Sequence, residues 1–343
     1  MTKTRFEKRS FDLGSACVTF LVAFGVQLVF QMIVLLLKLP DAAKTWTVVI
    51  GNQIVLCGVC LYFCFYHKVD PMAITGLKRP PKWYLFPIYL LIAVFCITAF
   101  APIAGVISKL LTLLGYEYQP SYAIPLDNPG LFALAFLGLT ILPAIGEELA
   151  VRGVILSGGK QKSPLFAILF SALIFALMHG NLRQLSHQFL LGAVMGYLAY
   201  LSGGIYASAF VHFANNGIAL LVEYGKHNGW IDYRVYWYLE GKLGVAPTLI
   251  GVSVSFFALA MLLLLVTCLT HFNRSKEEEY IPSEGKLSAR ITAYMTYLSV
   301  PKEEREAEKE KAPLTSYSVL MAVVLAVVLA AIVCLSLIPG VAE

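Results

Sequence analysis

GEELAVR, at residues 146–152, places two glutamates and one arginine inside a segment that is otherwise apolar enough to lie in a lipid bilayer. On insertion scales, each charged side chain at the centre of a membrane helix is unfavourable by roughly 2.5–3.5 kcal/mol. Charged residues at that depth usually pair with one another or take part in function. This stretch therefore predicts both a membrane-embedded fold and a functional site within it.

The composition predicts an all-α, polytopic transmembrane helical bundle. Of the 343 residues, 58% are hydrophobic and 14% are charged, and the mean hydropathy is +0.73, which excludes an ordinary soluble domain. Several apolar runs reach the roughly 18 residues that a membrane-spanning helix needs. The net charge of +5 is modest, and the basic residues lie in short loops. We therefore expect membrane lipid as a partner and no nucleic acid.

We expect eight or nine spans, organised in three regions. Residues 1–270 form the membrane bundle, residues 271–315 a charged cytoplasmic insert, and residues 316–343 an additional C-terminal span. The predicted spans are about 15–37, 45–66, 84–111, 131–156, one after Pro164 that contains His179, 188–201, one that contains His212 and Asn216, 248–269 and 317–338. Most Lys and Arg residues fall on the side of the N-terminus, which predicts a multi-pass protein of the cell membrane with a cytoplasmic N-terminus.

The charged residues of the fourth span differ in their expected partners. Glu148 and Arg152 are four residues apart, so they share a helix face and can form a structural ion pair. Glu147 points about 100° away from Glu148 and lacks that partner. We expect Glu147 to face a cavity, where an unpaired carboxylate can act as a general base for water.

Two later spans carry matching polar groups. The fifth span contains Phe175 and His179, and the seventh contains His212 and Asn216, which are also four residues apart. Counted at 1.5 Å per residue from the nearest cytoplasmic turn, the polar side chains lie about 12–22 Å deep. One carboxylate, two imidazoles and one amide could therefore meet near the middle of the membrane.

Two kinds of hydrolytic chemistry are open to these residues. Glu147, His179 and His212 could ligate a divalent metal such as zinc, with an open position for water. Alternatively, Glu147 helped by His179 could deprotonate a water, while His212 and Asn216 donate hydrogen bonds to the developing oxyanion. Either route hydrolyses an amide, and the residues alone do not choose between them.

Two other functions use the same residues differently. A catalytically silent membrane scaffold, active in immunity or in modulating a sensor kinase, would not need an unpaired Glu147 in the membrane. An ion-coupled transporter would use Glu147 and Glu148 as a cation site, and it predicts internal repeats, which the sequence does not contain. The complete polar set favours an enzyme.

At these residues the sequence resembles the CPBP family of intramembrane proteases, which includes type II CAAX prenyl endopeptidases and the Abi and bacteriocin-processing proteins. The family signatures E-E-x-x-x-R, F-x-x-x-H and H-x-x-x-N occur here in the family order, within a core of about 131–221. The resemblance implies a membrane-embedded peptidase, a metalloprotease or a metal-free glutamate enzyme, that cleaves CAAX-type or leader-type peptides at the membrane. It implies that Glu147 is the catalytic carboxylate and that Glu148 pairs with Arg152. His179 would assist the water, and His212 and Asn216 would complete the site.

Overall fold

The computed structural model describes residues 11–77, 80–116, 124–160, 163–277 and 316–335, and all regular secondary structure in these ranges is helical. The helices are α1 (Leu13–Leu36), α2 (Asp41–Tyr66), α3 (Pro71–Ile74), α4 (Phe86–Leu113), α5 (Pro129–Gly159), α6 (Pro164–Leu177), α7 (Leu185–Ser202), α8 (Tyr206–His227), α9 (Tyr233–Leu239), α10 (Val245–Glu277) and α11 (Ser316–Leu335). A 3₁₀ turn at Trp83–Leu85 leads into α4. The predicted all-α class is confirmed for the part of the chain that is described.

Within the described ranges, five helices are long and apolar enough to cross a membrane, and they coincide with the first, second, third, fourth and eighth predicted spans. Large apolar side chains such as Ile33, Ile54 and Leu90 are exposed on these helices, as expected for a surface that faces lipid. The predicted count of eight or nine spans is not confirmed. The 14 residues of α6 would extend only about 21 Å at 1.5 Å per residue. Helices α7 and α8, with 18 and 22 residues, are not among the helices that are apolar enough to span a membrane.

Helix α5 lies at the centre of the bundle, where it packs against α1, α2, α6, α7 and α8. It begins at Asn128, whose side chain accepts a hydrogen bond from the Leu131 N–H, and Pro129 occupies its first turn. Two π-helical segments, Leu137–Ile141 and Leu149–Leu156, interrupt its α-helical hydrogen bonding. The α-helical turns between them carry Glu147 and Glu148. Wide π turns of this kind occur often at functional sites.

Helices α6 and α7 form a close antiparallel pair through small residues. A Cβ atom at Gly192 would lie 3.1 Å from the Ala172 Cα atom, and one at Gly196 would lie 3.2 Å from the Ser171 Oγ atom. Because these two glycines have no side chain, the backbones of α6 and α7 can approach each other closely, as is common at small residues between membrane helices. Helix α7 ends at Gly203, which adopts a left-handed conformation with φ 73°.

The three predicted regions are described to different extents. Residues 11–270 contain α1 to α9 and most of α10, which continues to Glu277. Helix α11 falls within the predicted last span and packs against α1 and α6. Most of the charged insert, residues 278–315, and the N-terminal residues 1–10 lie outside the described residues.

Candidate active site

Glu148 and Arg152 form the ion pair that their spacing predicts. The Arg152 Nη1 atom donates to Glu148 Oε1 over 2.7 Å, and both side chains are fully removed from solvent. The Arg152 Nη2 atom donates to the Gly192 carbonyl over 3.0 Å, and the guanidinium lies 4.6 Å from the centre of the Phe175 ring. Arg152 therefore links α5 to α7 through a backbone carbonyl and to α6 through an aromatic face.

His212 from α8 lies between the two glutamates. Its Nδ1 atom is 3.0 Å from Glu148 Oε1, and its Nε2 atom is 3.8 Å from Glu147 Oε2. A carboxylate only accepts hydrogen bonds, so Nδ1 carries the proton in the first contact. Glu148 therefore has two functions here: it pairs with Arg152 and it fixes the orientation of the His212 ring. The sequence analysis had assigned it only the first.

Glu147 is nearly buried, at 9% exposure, and its two carboxylate oxygens differ. Oε1 accepts a hydrogen bond from Gln53 Nε2 on α2 over 3.0 Å. Oε2 faces His212 and has no hydrogen-bond partner among the described residues. Among the described residues, the polar contacts of Glu147 are with Gln53 and His212, and Gln53 was not foreseen as its neighbour.

His179 lies two residues beyond the C-terminal end of α6, whereas the sequence analysis placed it inside a span. Its Nδ1 atom donates to the Phe175 carbonyl over 2.7 Å, because a carbonyl can only accept, and this leaves Nε2 as the acceptor atom. The ring packs edge-on against Phe175 at 4.9 Å. The ring of His212 also lies against Phe175, with the ring centroids 5.5 Å apart, so the chain brings both histidines to the same region.

Asn216 lies on α8 and is hydrogen-bonded to the backbone of α5. Its Nδ2 atom donates to the Leu139 carbonyl, inside the first π segment, over 3.0 Å. Its Oδ1 atom accepts from Asn215 Nδ2 over 3.2 Å. The hydrogen bonds described for Asn216 are therefore made to the backbone of α5 and to its neighbour, not to the glutamates. One N–H of its amide stays available for a ligand.

Gln53 is the site residue that the sequence analysis missed. A signal was present, because Gln27, Asn52 and Gln53 are amide side chains inside the first two apolar spans. Buried polar side chains in a membrane helix commonly mark interhelical hydrogen bonds. Gln27 indeed donates to the Asn52 carbonyl over 2.9 Å and connects α1 with α2.

The side-chain arrangement gives no support to a three-ligand metal site. Among the described residues, no three His, Cys, Asp or Glu side chains are grouped so that they could hold a metal ion. His212 Nδ1 contacts Glu148 and His179 Nδ1 contacts a backbone carbonyl, so on each ring Nε2 is the atom left to contact water or substrate. We therefore derive the chemistry of Glu147, His179 and His212 without a step through zinc.

Comparison with known proteins identifies the region that carries this site. Residues 129–218 match the family model for type II CAAX prenyl endopeptidase Rce1-like proteins. No curated protein and no solved structure matches the chain. The matched region begins with α5 and ends within α8, so it contains all three motifs, and its family consists of intramembrane CAAX-type proteases. Residues 129–218 are therefore similar to the CPBP and CAAX protease family, over about a quarter of the chain.

Proposed function

We propose that this protein is an intramembrane endopeptidase in which Glu147 is the general base. The single observation that supports this most strongly is the pair of opposed atoms Glu147 Oε2 and His212 Nε2, 3.8 Å apart inside the bundle. That separation is too long for a direct hydrogen bond. It suits a water molecule that contacts both atoms at once.

In the proposed reaction, Glu147 Oε2 takes a proton from this water, and the water oxygen attacks the scissile carbonyl carbon. The carbonyl becomes an oxyanion. It accepts hydrogen bonds from the available N–H of Asn216 and from His212 Nε2, which donates because His212 takes part in this step as an imidazolium with a proton on each ring nitrogen. His179, with Nε2 as an acceptor, helps to orient the water. The C–N bond then breaks, and the proton held by Glu147 passes to the leaving amine.

Glu148 and Arg152 support this chemistry without touching the substrate. Glu148 holds His212 through Nδ1, so that Nε2 faces the space beside Glu147. Arg152 neutralises Glu148 in surroundings where an unpaired charge would be strongly unfavourable. The two residues therefore act as a support for the histidine as well as a structural pair.

An apolar cavity whose lining includes Ala176 and Leu182, which flank His179 in the sequence, suits a substrate that arrives from the membrane. Its volume is 330 Å³, and it lies between α4, α6 and α7. Its lining residues are almost entirely apolar: Ile107, Leu111, Leu173, Ala176, Leu182, Leu185, Ser186 and Phe189. Such a cavity can receive a large hydrophobic group of a membrane-associated peptide, either a prenylated CAAX-type tail or an apolar leader segment.

The proposal is tested by incubating the purified protein with membrane-tethered leader peptides and prenylated peptides. Glu147→Gln removes the base, whereas Glu223→Gln makes the same chemical change at an exposed position on α8 and serves as the control. We expect cleavage by wild type and by Glu223→Gln, none by Glu147→Gln, and no loss of activity with a chelator. Equal cleavage by wild type and Glu147→Gln would contradict the proposal, and loss with the chelator would favour the metal route.

A further inference from the structure

Gln53 and Glu147 come from different parts of the chain, 94 residues apart, and meet through one hydrogen bond of 3.0 Å. The assignment of the Gln53 amide follows from the chemistry of its partner: a carboxylate cannot donate, so the Nε2 atom must face Glu147. Gln53 lies on α2, outside the region that matches the protease family. It is therefore a contact that the family motifs do not contain.

The backbone of α5 is shaped to admit Gln53. Gly146 precedes the two glutamates, and a Cβ atom there would lie only 2.6 Å from Gln53 Oε1 and 3.3 Å from Cys57 Sγ. Real Cβ atoms do not come this close to an oxygen. Glycine at this position lets α2 bring its amide alongside the Glu147 carboxylate.

The hydrogen bond from Gln53 gives the two Glu147 oxygens different surroundings. Oε1 is occupied by the Gln53 N–H, while Oε2 faces His212 Nε2 and has no hydrogen bond among the described residues. A carboxylate held at one oxygen cannot rotate freely about its terminal torsion, so the other oxygen stays directed at the space where the water would lie.

We propose that Gln53 is a positioning residue that holds Glu147 Oε1 and thereby presents Oε2 as the atom that accepts the proton from water. This inference rests on the proposed function, because it concerns the same general base. It adds a residue of α2 to a site otherwise built from α5, α8 and the turn after α6. Gln53 itself does not touch the substrate.

The test compares Gln53→Met with wild type in steady-state cleavage of a membrane-tethered peptide. Methionine keeps the length and approximate volume of glutamine but has no N–H donor. We expect kcat to fall roughly 10-fold to 100-fold, a part of the 10²- to 10⁴-fold that a general base contributes, while KM stays within about twofold. Asn52→Met, at the neighbouring amide of α2, is the control and should retain wild-type kcat and KM.

Thermal unfolding in detergent separates positioning from packing. If Gln53 acts through Glu147, then Gln53→Met lowers kcat while it unfolds at a temperature close to that of Asn52→Met, whereas a purely structural effect lowers the unfolding temperature together with kcat. Infrared difference spectra provide a readout besides activity: the carboxylate band that disappears in Glu147→Gln should shift in Gln53→Met and stay in place in Asn52→Met.

The outcomes are distinguishable. Unchanged kcat and an unshifted band in Gln53→Met overturn this inference while the proposed function stands, provided that Glu147→Gln is inactive. Active Glu147→Gln overturns the proposed function and the positioning role together. A raised KM with unchanged kcat also contradicts the inference, since it assigns Gln53 to substrate binding instead of to the base.

Discussion

The Nε2 atom of His212 lies 3.8 Å from the Oε2 atom of Glu147, with both residues nearly removed from solvent. On the far side of the ring, Nδ1 is held by Glu148 at 3.0 Å. One histidine thus connects the proposed base with the buried ion pair. In the proposed reaction, the two adjacent glutamates of α5 therefore have different roles.

Replacing His212 should abolish most of the activity. In His212→Ala the oxyanion loses one donor and the water loses one contact, so we expect kcat to fall roughly 100-fold or more. The control is His227→Ala, at a half-exposed histidine on the same helix. Wild-type kcat in His212→Ala, measured by peptide cleavage, would contradict the role given to this ring.

Asn216 should affect both rate and stability. Asn216→Ala removes a donor to the oxyanion, which is worth roughly 10² in kcat. It also leaves the Leu139 carbonyl without its side-chain partner, which should lower the free energy of unfolding by about 1–3 kcal/mol. Cleavage kinetics and thermal unfolding in detergent measure the two effects. Asn228→Ala, at an exposed position, should change neither, and a normal kcat in Asn216→Ala would remove this residue from the mechanism.

Arg152 should be essential for stability. Arg152→Met leaves Glu148 as an unpaired buried charge, which lowers the free energy of unfolding by about 3–5 kcal/mol. Adding Glu148→Met should recover part of this loss, since the unpaired carboxylate is removed while His212 Nδ1 loses its acceptor. Lys226→Met breaks an exposed pair with Glu223 and should change stability by at most about 1 kcal/mol. If Arg152→Met and Lys226→Met unfolded at the same temperature, the buried pair would not have the stabilising role described here.

Gly192 should tolerate no side chain. In Gly192→Ala the new Cβ atom meets the Ala172 backbone at 3.1 Å, so α6 and α7 must separate and the Arg152 bond to the Gly192 carbonyl lengthens. We expect a loss of about 1–3 kcal/mol in stability. Gly58→Ala is the matched control, because nothing lies within 4 Å of its Cβ position, and it should raise stability by up to about 1 kcal/mol. Similar unfolding temperatures for the two variants would refute this account of the α6–α7 contact.

The local part of the site could be predicted from the sequence, because it depends on helical spacing. Four residues separate Glu148 from Arg152, and the ion pair forms even though Arg152 lies in a π segment. Contacts between residues far apart in the sequence, and the exact ends of the helices, could not be predicted from spacing. Nothing local to α2 indicates that Gln53 meets Glu147, and nothing local to α6 indicates that the helix ends before His179.

The membrane topology shows a similar division. Long apolar runs identified the five long helices, because length and composition alone decide whether a helix can span the bilayer. Helices α6, α7 and α8 depend on packing around α5, and their short or polar sequences do not reveal how deeply they lie. The two π segments of α5 were also missed, because the sequence reasoning assumed 3.6 residues per turn along the whole span.

The central claim is that Glu147 activates a water for attack on a peptide bond, and isotope incorporation tests it most directly. The protein cleaves a membrane-tethered substrate peptide in water enriched in ¹⁸O, and the new carboxyl terminus of the product is analysed by mass spectrometry. We predict one ¹⁸O atom in the product made by wild type and by Glu223→Gln, and no product from Glu147→Gln. A labelled product formed by Glu147→Gln at the wild-type rate would contradict the account.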